Sequence, residues 1–266
     1  MLKTNGRIIK DQMNTVVNTN KTFVSENMQE FMDPISNNSF DFPIYIINLD
    51  RKVERYTYVR NQLDKMKITN YRRVSAIDGF KLTTDKLLSF GLTSELAERK
   101  GLAGCAASHI KVWKHIAENK LGWTLILEDD AHFHPDFMKI FSEYWKHCPK
   151  NAKIIFPGFS TDASVENSNK MIIEKSVMCT HAYMLRWQGA QELLDNLLPI
   201  SQPVDIALDN YLKDKGCFIF NGNISIDGLR PNNYKEANGR RCMFNGIVYQ
   251  NHEEQGSTIH GIETVY

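Results

Sequence analysis

The run Trp123-Thr-Leu-Ile-Leu-Glu128-Asp129-Asp130 sets the first constraint on the fold. An apolar, β-prone segment ends in three adjacent carboxylates. A buried strand accounts for the first part, but clustered negative charges repel unless something neutralises them. A divalent cation is the simplest neutraliser, because hard cations take carboxylate oxygens. In a largely parallel α/β sheet, ligands bind beyond the carboxyl ends of the strands. A cation placed there is positioned to hold a diphosphate. The plainer alternative is a solvated acidic turn, and on this segment alone it is slightly the better reading.

Strand-like and helix-like segments alternate through the middle of the chain. Pro43 to Asn48 reads as a strand covered on both faces. Arg51 to Lys67 carries Val53, Tyr56, Val59, Leu63 and Met66 at helical spacing. Strands are predicted from Tyr71 into a turn at Asp78-Gly79, and over Trp123 to Leu127, Lys153 to Phe156, Val177 to Leu185 and Cys217 to Phe220. Helices are predicted over Leu102 to Asn119, Gly189 to Leu198, and Val204 to Lys213 after Pro203. This alternation predicts an α/β fold, a single domain over 42–220 with a mixed, mostly parallel central sheet flanked by helices. Residues 1–41 are polar and read as a partly ordered leader. The Gly- and Asn-rich stretch 221–266 reads as a loop-rich tail over the domain.

A formal net charge of +1 on 266 residues gives no general attraction to nucleic acid or membrane. Any anionic ligand must therefore be held by local groups. Five scattered cysteines form no C-x-x-C pair, which points to reduced thiols and a cytoplasmic setting, soluble or membrane-peripheral. No apolar run reaches transmembrane length, and the N-terminus lacks a secretory apolar region.

Arg51 and Arg55 lie just past the first strand, where they could meet a nucleotide or its phosphates. A capped helix with Asn48 or Asp50 at its start competes with that reading. Asp78-Gly79 could present a carboxylate to a base or ribose, or be a plain turn. Gly101-Leu-Ala-Gly104-Cys-Ala-Ala-Ser108-His109 puts small residues at a helix start, suited to close approach of an anion or to tight packing. His132 and His134 invite a zinc reading, but no third nitrogen or sulfur ligand has motif spacing, and partly exposed loop histidines are favoured. Asp205 and Asp209 stand four apart on a short helix, where one could act as a general base. Arg230, Lys235, Arg240 and Arg241 could close over a diphosphate, although surface solvation accounts for most of them.

In order, Ile46 to Arg51 with Glu54-Arg55, Ala76 to Gly79, Gly104 to His109 with Trp113, Leu127 to Asp130, Thr180 to Tyr183, Gly189-Ala190 and Pro203 to Asp205 resemble glycosyltransferase family 25. That group includes lipooligosaccharide and procollagen galactosyltransferases. The resemblance covers about Ile44 to Leu212. It implies a GT-A-like fold, a UDP-sugar donor, an inverting hexose transfer and a glycan or protein acceptor, with galactose first and glucose next. By the same resemblance, Asp130 with Asp129 or Glu128 would hold Mn²⁺ or Mg²⁺. Asn48, Arg51, Arg55, Asp78, Gly104, Ser108 and His181 would contact the donor, and Asp205 would be the base. A non-catalytic nucleotide-sugar or glycan-binding module with the same fold is the alternative.

Overall fold

The computed structural model describes residues 40–160, 171–174, 177–213, 215, 217–220, 233–237 and 240–250. Apart from Phe40 and Asp41, the expected leader lies outside them. The first strand, β1 (Ile44–Asn48), pairs in parallel with β2 (Tyr71–Ser75) and with β3 (Thr124–Glu128). Helix α1 (Val53–Lys65) connects β1 to β2. Two short helices, α2 (Thr84–Leu88) and α3 (Ser94–Glu98), lead into the long α4 (Lys100–Glu118) before β3.

Strand alternation places Tyr45, Ile47 and Ile126 against Ala103, Ala106, Ile110 and Trp113 of α4. Ile44, Ile46, Leu125 and Leu127 are also buried but lie outside that cluster. Both faces of β1 and β3 are thus covered, which is why these strands are apolar throughout. Burying side chains of this size contributes ~1.5–3 kcal/mol each.

A short β4 (Ala131–Phe133) and helix α5 (Phe137–Trp145) follow β3. The sheet then continues through β5 (Ile154–Ser160), β6 (Met171–Glu174) and β7 (Met178–Leu185). Helices α6 (Trp187–Leu197) and α7 (Val204–Leu212) come next, and then β8 (Cys217–Phe220). The sheet is mixed, but its parallel share is smaller than expected. Beyond β2–β1–β3, β5 with β8 is the one parallel strand pair of the sheet among the described residues; β7 runs antiparallel to both β3 and β5.

The described residues within 221–266 also depart from the loop expectation. They contribute β9 (Asn233–Ala237), β10 (Arg240–Gly246) and β11 (Val248–Gln250). Short β-prone runs such as Ile247-Val-Tyr249 find existing partners here: β10 pairs with β5, and β11 with β4. Of the cations expected to close over a diphosphate, Arg230 lies outside the described residues. Lys235, Arg240 and Arg241 fall on β9 and β10.

Glu192 ties α6 to its surroundings. Its carboxylate accepts from Lys153 Nζ at 2.6 Å, Tyr211 Oη at 2.7 Å and Lys215 Nζ at 3.4 Å. The hydrogen bonds from Lys153 and Tyr211 hold its pKa at about 2 against an ordinary 4.5. The depressed value means that the stabilisation is complete above the ordinary pKa and is lost as pH falls through the folded one. Glu192→Gln is expected to cost about 1 kcal/mol near neutral pH, a figure discounted for partial exposure. That gap should close as the pH approaches 2. Denaturant melts across this range check it; a gap that persists in acid would contradict the assignment.

Candidate functional site

Register places one set of strand ends on a common rim. Asn48 lies opposite Ser75, and Ile47 lies opposite Glu128. The turns leaving β1, β2 and β3 therefore open into one cleft, lined by Asn48, Arg51, Asp78, Ser108 and the three acids, among others. Strand β7 runs the other way beside β3, with Ala182 opposite Leu127, so Thr180 and His181 reach the same rim.

The acid triplet meets one guanidinium. Arg55 on α1 is buried; its Nη2 lies 2.7 Å from Asp129 Oδ1 and 3.3 Å from Asp130 Oδ2. Asp129 Oδ2 accepts from Asn48 Nδ2 at 2.7 Å. Arg55 thus faces the acids as their internal counter-ion. Burial nevertheless raises the Asp129 pKa to about 7, with Asp130 adding repulsion, against the lowering by Arg55 and Asn48. Burial would also push Glu128 up, but hydrogen bonds from His109 and Thr180 hold its pKa at about 2. Both of those bonds fall on Glu128 Oε1, at 3.3 Å from His109 Nε2 and 2.5 Å from Thr180 Oγ1.

Asn48 works as a buried bracket. Besides Asp129, its amide donates to Lys52 O at 2.7 Å, and its Oδ1 accepts from Arg73 Nε at 2.7 Å. Helix α1 begins after Lys52 with no side-chain cap, so neither Asn48 nor Asp50 is its N-cap. Arg51 donates to Asp78 at the cleft lip, part-exposed.

The small residues of α4 serve close packing. A Cβ on Gly104 would sit 2.5 Å from Ile77 O, and one on Gly79 would sit 1.9 Å from Lys100 O. Ser108 Oγ donates to Gly104 O at 2.6 Å and accepts from Ile77 N at 2.8 Å. The 77–79 turn is thereby pinned against α4. Of the two purposes open in the sequence, the tight-packing one is realised here.

A buried polar chain lies behind the acids. Trp113 Nε1 donates to Tyr183 Oη at 2.7 Å, which lies 2.8 Å from His109 Nδ1. His181 is fully buried, and its Nε2 donates to Val248 O at 3.0 Å. It therefore fastens β11, whose Gln250 Nε2 donates to Asp130 Oδ2 at 3.2 Å. Gln250 lines the cleft and was not anticipated; a contact across 120 residues leaves no local signal.

The two aspartates of α7 separate in role. Asp209 is buried, accepts from Val177 N at 3.0 Å and pairs with Lys213 at 3.2 Å. Asp205, in the first turn, accepts from Ile206 N at 2.9 Å. Burial raises its pKa, the Ile206 amide lowers it, and the field of Glu128 raises it further. Asp205 also acts on Cys105, whose thiol is pushed well up by burial and then by the acids. His132 is exposed and bonds Tyr58 Oη, while His134 Nδ1 accepts from Asp136 N. Neither shares a metal-ligating cluster with the acids among the described residues.

The donor set fits a hard divalent cation. Arg55 pairs with Asp129 and Asp130, Glu128 is held by His109 and Thr180, and the acids offer oxygen donors. Asp129 has both oxygens bonded to protein. Glu128 and Asp130 line the same cleft.

A family model described as "Glycosyltransferase family 25 (LPS biosynthesis protein)" matches residues 41–208. A protein of Acanthamoeba polyphaga mimivirus named as a glycosyltransferase is 30% identical over 57% of this chain and 52% of its own length. Procollagen galactosyltransferase 2 of Mus musculus is 24% identical over 63% of this chain and 30% of its own. A human relative named "inactive glycosyltransferase 25 family member 3" is 24% identical over 63% and 32%. The chain thus spans 30–52% of the length of these relatives. A solved glycosyltransferase involved in glycosylating the major capsid of PBCV-1 aligns over 69% of this chain and 94% of that one. The identity there is 12% and the TM-score 0.31, too loose to carry an argument.

Proposed function

The chain belongs to glycosyltransferase family 25, and on that premise we propose that it moves a hexose from a UDP-sugar to an acceptor hydroxyl with inversion. Galactose is the first candidate, by analogy with the procollagen enzyme, and glucose the second. The acceptor is a glycan or a protein side chain. The observation that carries this reading is the gathering of the acid triplet, Arg51 and Asp78 on one cleft, with Asp205 within the electrostatic field of Glu128.

Asp130 and Glu128 would hold Mn²⁺ or Mg²⁺, which supplies positive charge to the departing diphosphate. The chain's own residues do the rest. Arg51 and Asp78 form the lip on which the nucleoside rests. Arg55 and Asn48 hold the acids in place. Asp205 takes the proton from the acceptor hydroxyl as that oxygen attacks the anomeric carbon from the face opposite UDP. Burial raises the Asp205 pKa, which makes it a stronger base than an exposed aspartate.

The test is a screen of UDP-sugars with Mn²⁺, read by mass spectrometry for UDP release and product. Consumption of UDP-galactose is expected. Donor binding without release or transfer for any UDP-sugar would instead support a non-catalytic binding module, a reading favoured by the relative named inactive.

A further inference from the structure

We propose that Cys105, His109 and Glu128 form a second, softer cation site that takes Zn²⁺ within the cleft. Cys105 and His109 stand four apart on one face of α4, and Glu128 ends β3 beside them. One ligand atom from each lies within 4.8 Å of the others. His109 Nε2 and Glu128 Oε1 are 3.3 Å apart, which matches two ligands on a tetrahedral zinc with bonds of about 2.0–2.1 Å.

The chemistry separates this site from the oxygen set. Thiolate and imidazole select Zn²⁺ over Mg²⁺ or Mn²⁺. The support behind the ligands is also of the kind a zinc site needs. Tyr183 Oη lies on His109 Nδ1 and is itself held by Trp113, so the ring is fixed with Nε2 facing Glu128. In the bound form Nδ1–H donates to Tyr183 Oη, and the Nε2 lone pair goes to the ion. The Cys105 thiol gives its proton to solvent as the sulfur–zinc bond forms. Three protein ligands leave one position open to water or a phosphate oxygen. All three residues line the cleft, so an ion here takes Glu128 from the oxygen set and stands where the donor would enter. Only that last, inhibitory consequence rests on the transferase reading; the binding does not.

The test uses the full chain with Co²⁺ as a visible probe for Zn²⁺. A tetrahedral spectrum with a sulfur-to-cobalt charge-transfer band is expected, displaced by Zn²⁺ and not by Mg²⁺. Cys105→Ser should remove the band and weaken Zn²⁺ ~10-fold or more, while Cys148→Ser leaves both unchanged. In the unmodified protein, Zn²⁺ should also protect Cys105 from alkylation, read by peptide mass. The proposal fails if the wild type shows no such band, if the band survives Cys105→Ser, or if Cys105 alkylates equally with and without Zn²⁺.

Discussion

Asp130→Asn is expected to abolish transfer while the protein stays folded. A carboxylate that holds the cation contributes several kcal/mol to leaving-group stabilisation, so a loss of about 4 kcal/mol, or roughly three orders of magnitude in kcat/KM, is the scale. Stability should barely move, for a reason visible in the cluster. Asp130 and Asp129 share Arg55, and the shorter contact, 2.7 Å, belongs to Asp129. Removing the Asp130 charge therefore leaves no buried cation unpaired and relieves one like-charge repulsion. The amide keeps the volume, and its oxygen can still accept from Gln250. Initial-rate assays across Mn²⁺ concentrations, beside a thermal melt shifted by no more than ~3 °C, decide the matter. A folded variant with native-like transfer would place the ion elsewhere.

Much of the sheet was legible because its inner strands are covered on both faces. Ile44 to Ile47 and Leu125 to Leu127 are all buried, and such runs announce themselves without alternation. The face of α4 was legible for a similar reason: Ala103, Ala106, Ile110, Trp113 and Ala117 are all in the core. Helix α5 was passed over although Phe137, Ile140, Phe141 and Tyr144 carry helical spacing and are buried. The short α2 and α3 have too few residues to show a period.

The site was legible as a set of residue types and far less as a set of bonds. The acids and Arg55 stood out, yet nothing local says that Arg55 faces inward to Asp129 and Asp130. Gly104 and Ser108 read both as a ligand cradle and as a packing device; the 2.5 Å approach of Ile77 O shows the packing, and both residues also line the cleft. Gln250 and the His181–Val248 bond depend on pairing between distant strands, which no local pattern encodes.

Asp205→Asn is expected to lower kcat by about 10²–10⁴-fold, with little change in donor KM. The neighbouring aspartate makes the test sharp. Asp209 is committed to Val177 N and Lys213, so it organises the start of β7, and its loss would appear as instability. Asp205 accepts from backbone amides of its own helix start, and its carboxylate lies in the field of Glu128 and His109. A base acts on the acceptor proton in the transition state and makes no ground-state contact with the nucleotide, so its removal should spare donor affinity. Isotope-labelled UDP-sugar binding and steady-state transfer, measured on the same preparation, separate the two effects. Equal losses in kcat and donor binding would show that Asp205 shapes the donor pocket, and would leave the acceptor proton to another group on the rim.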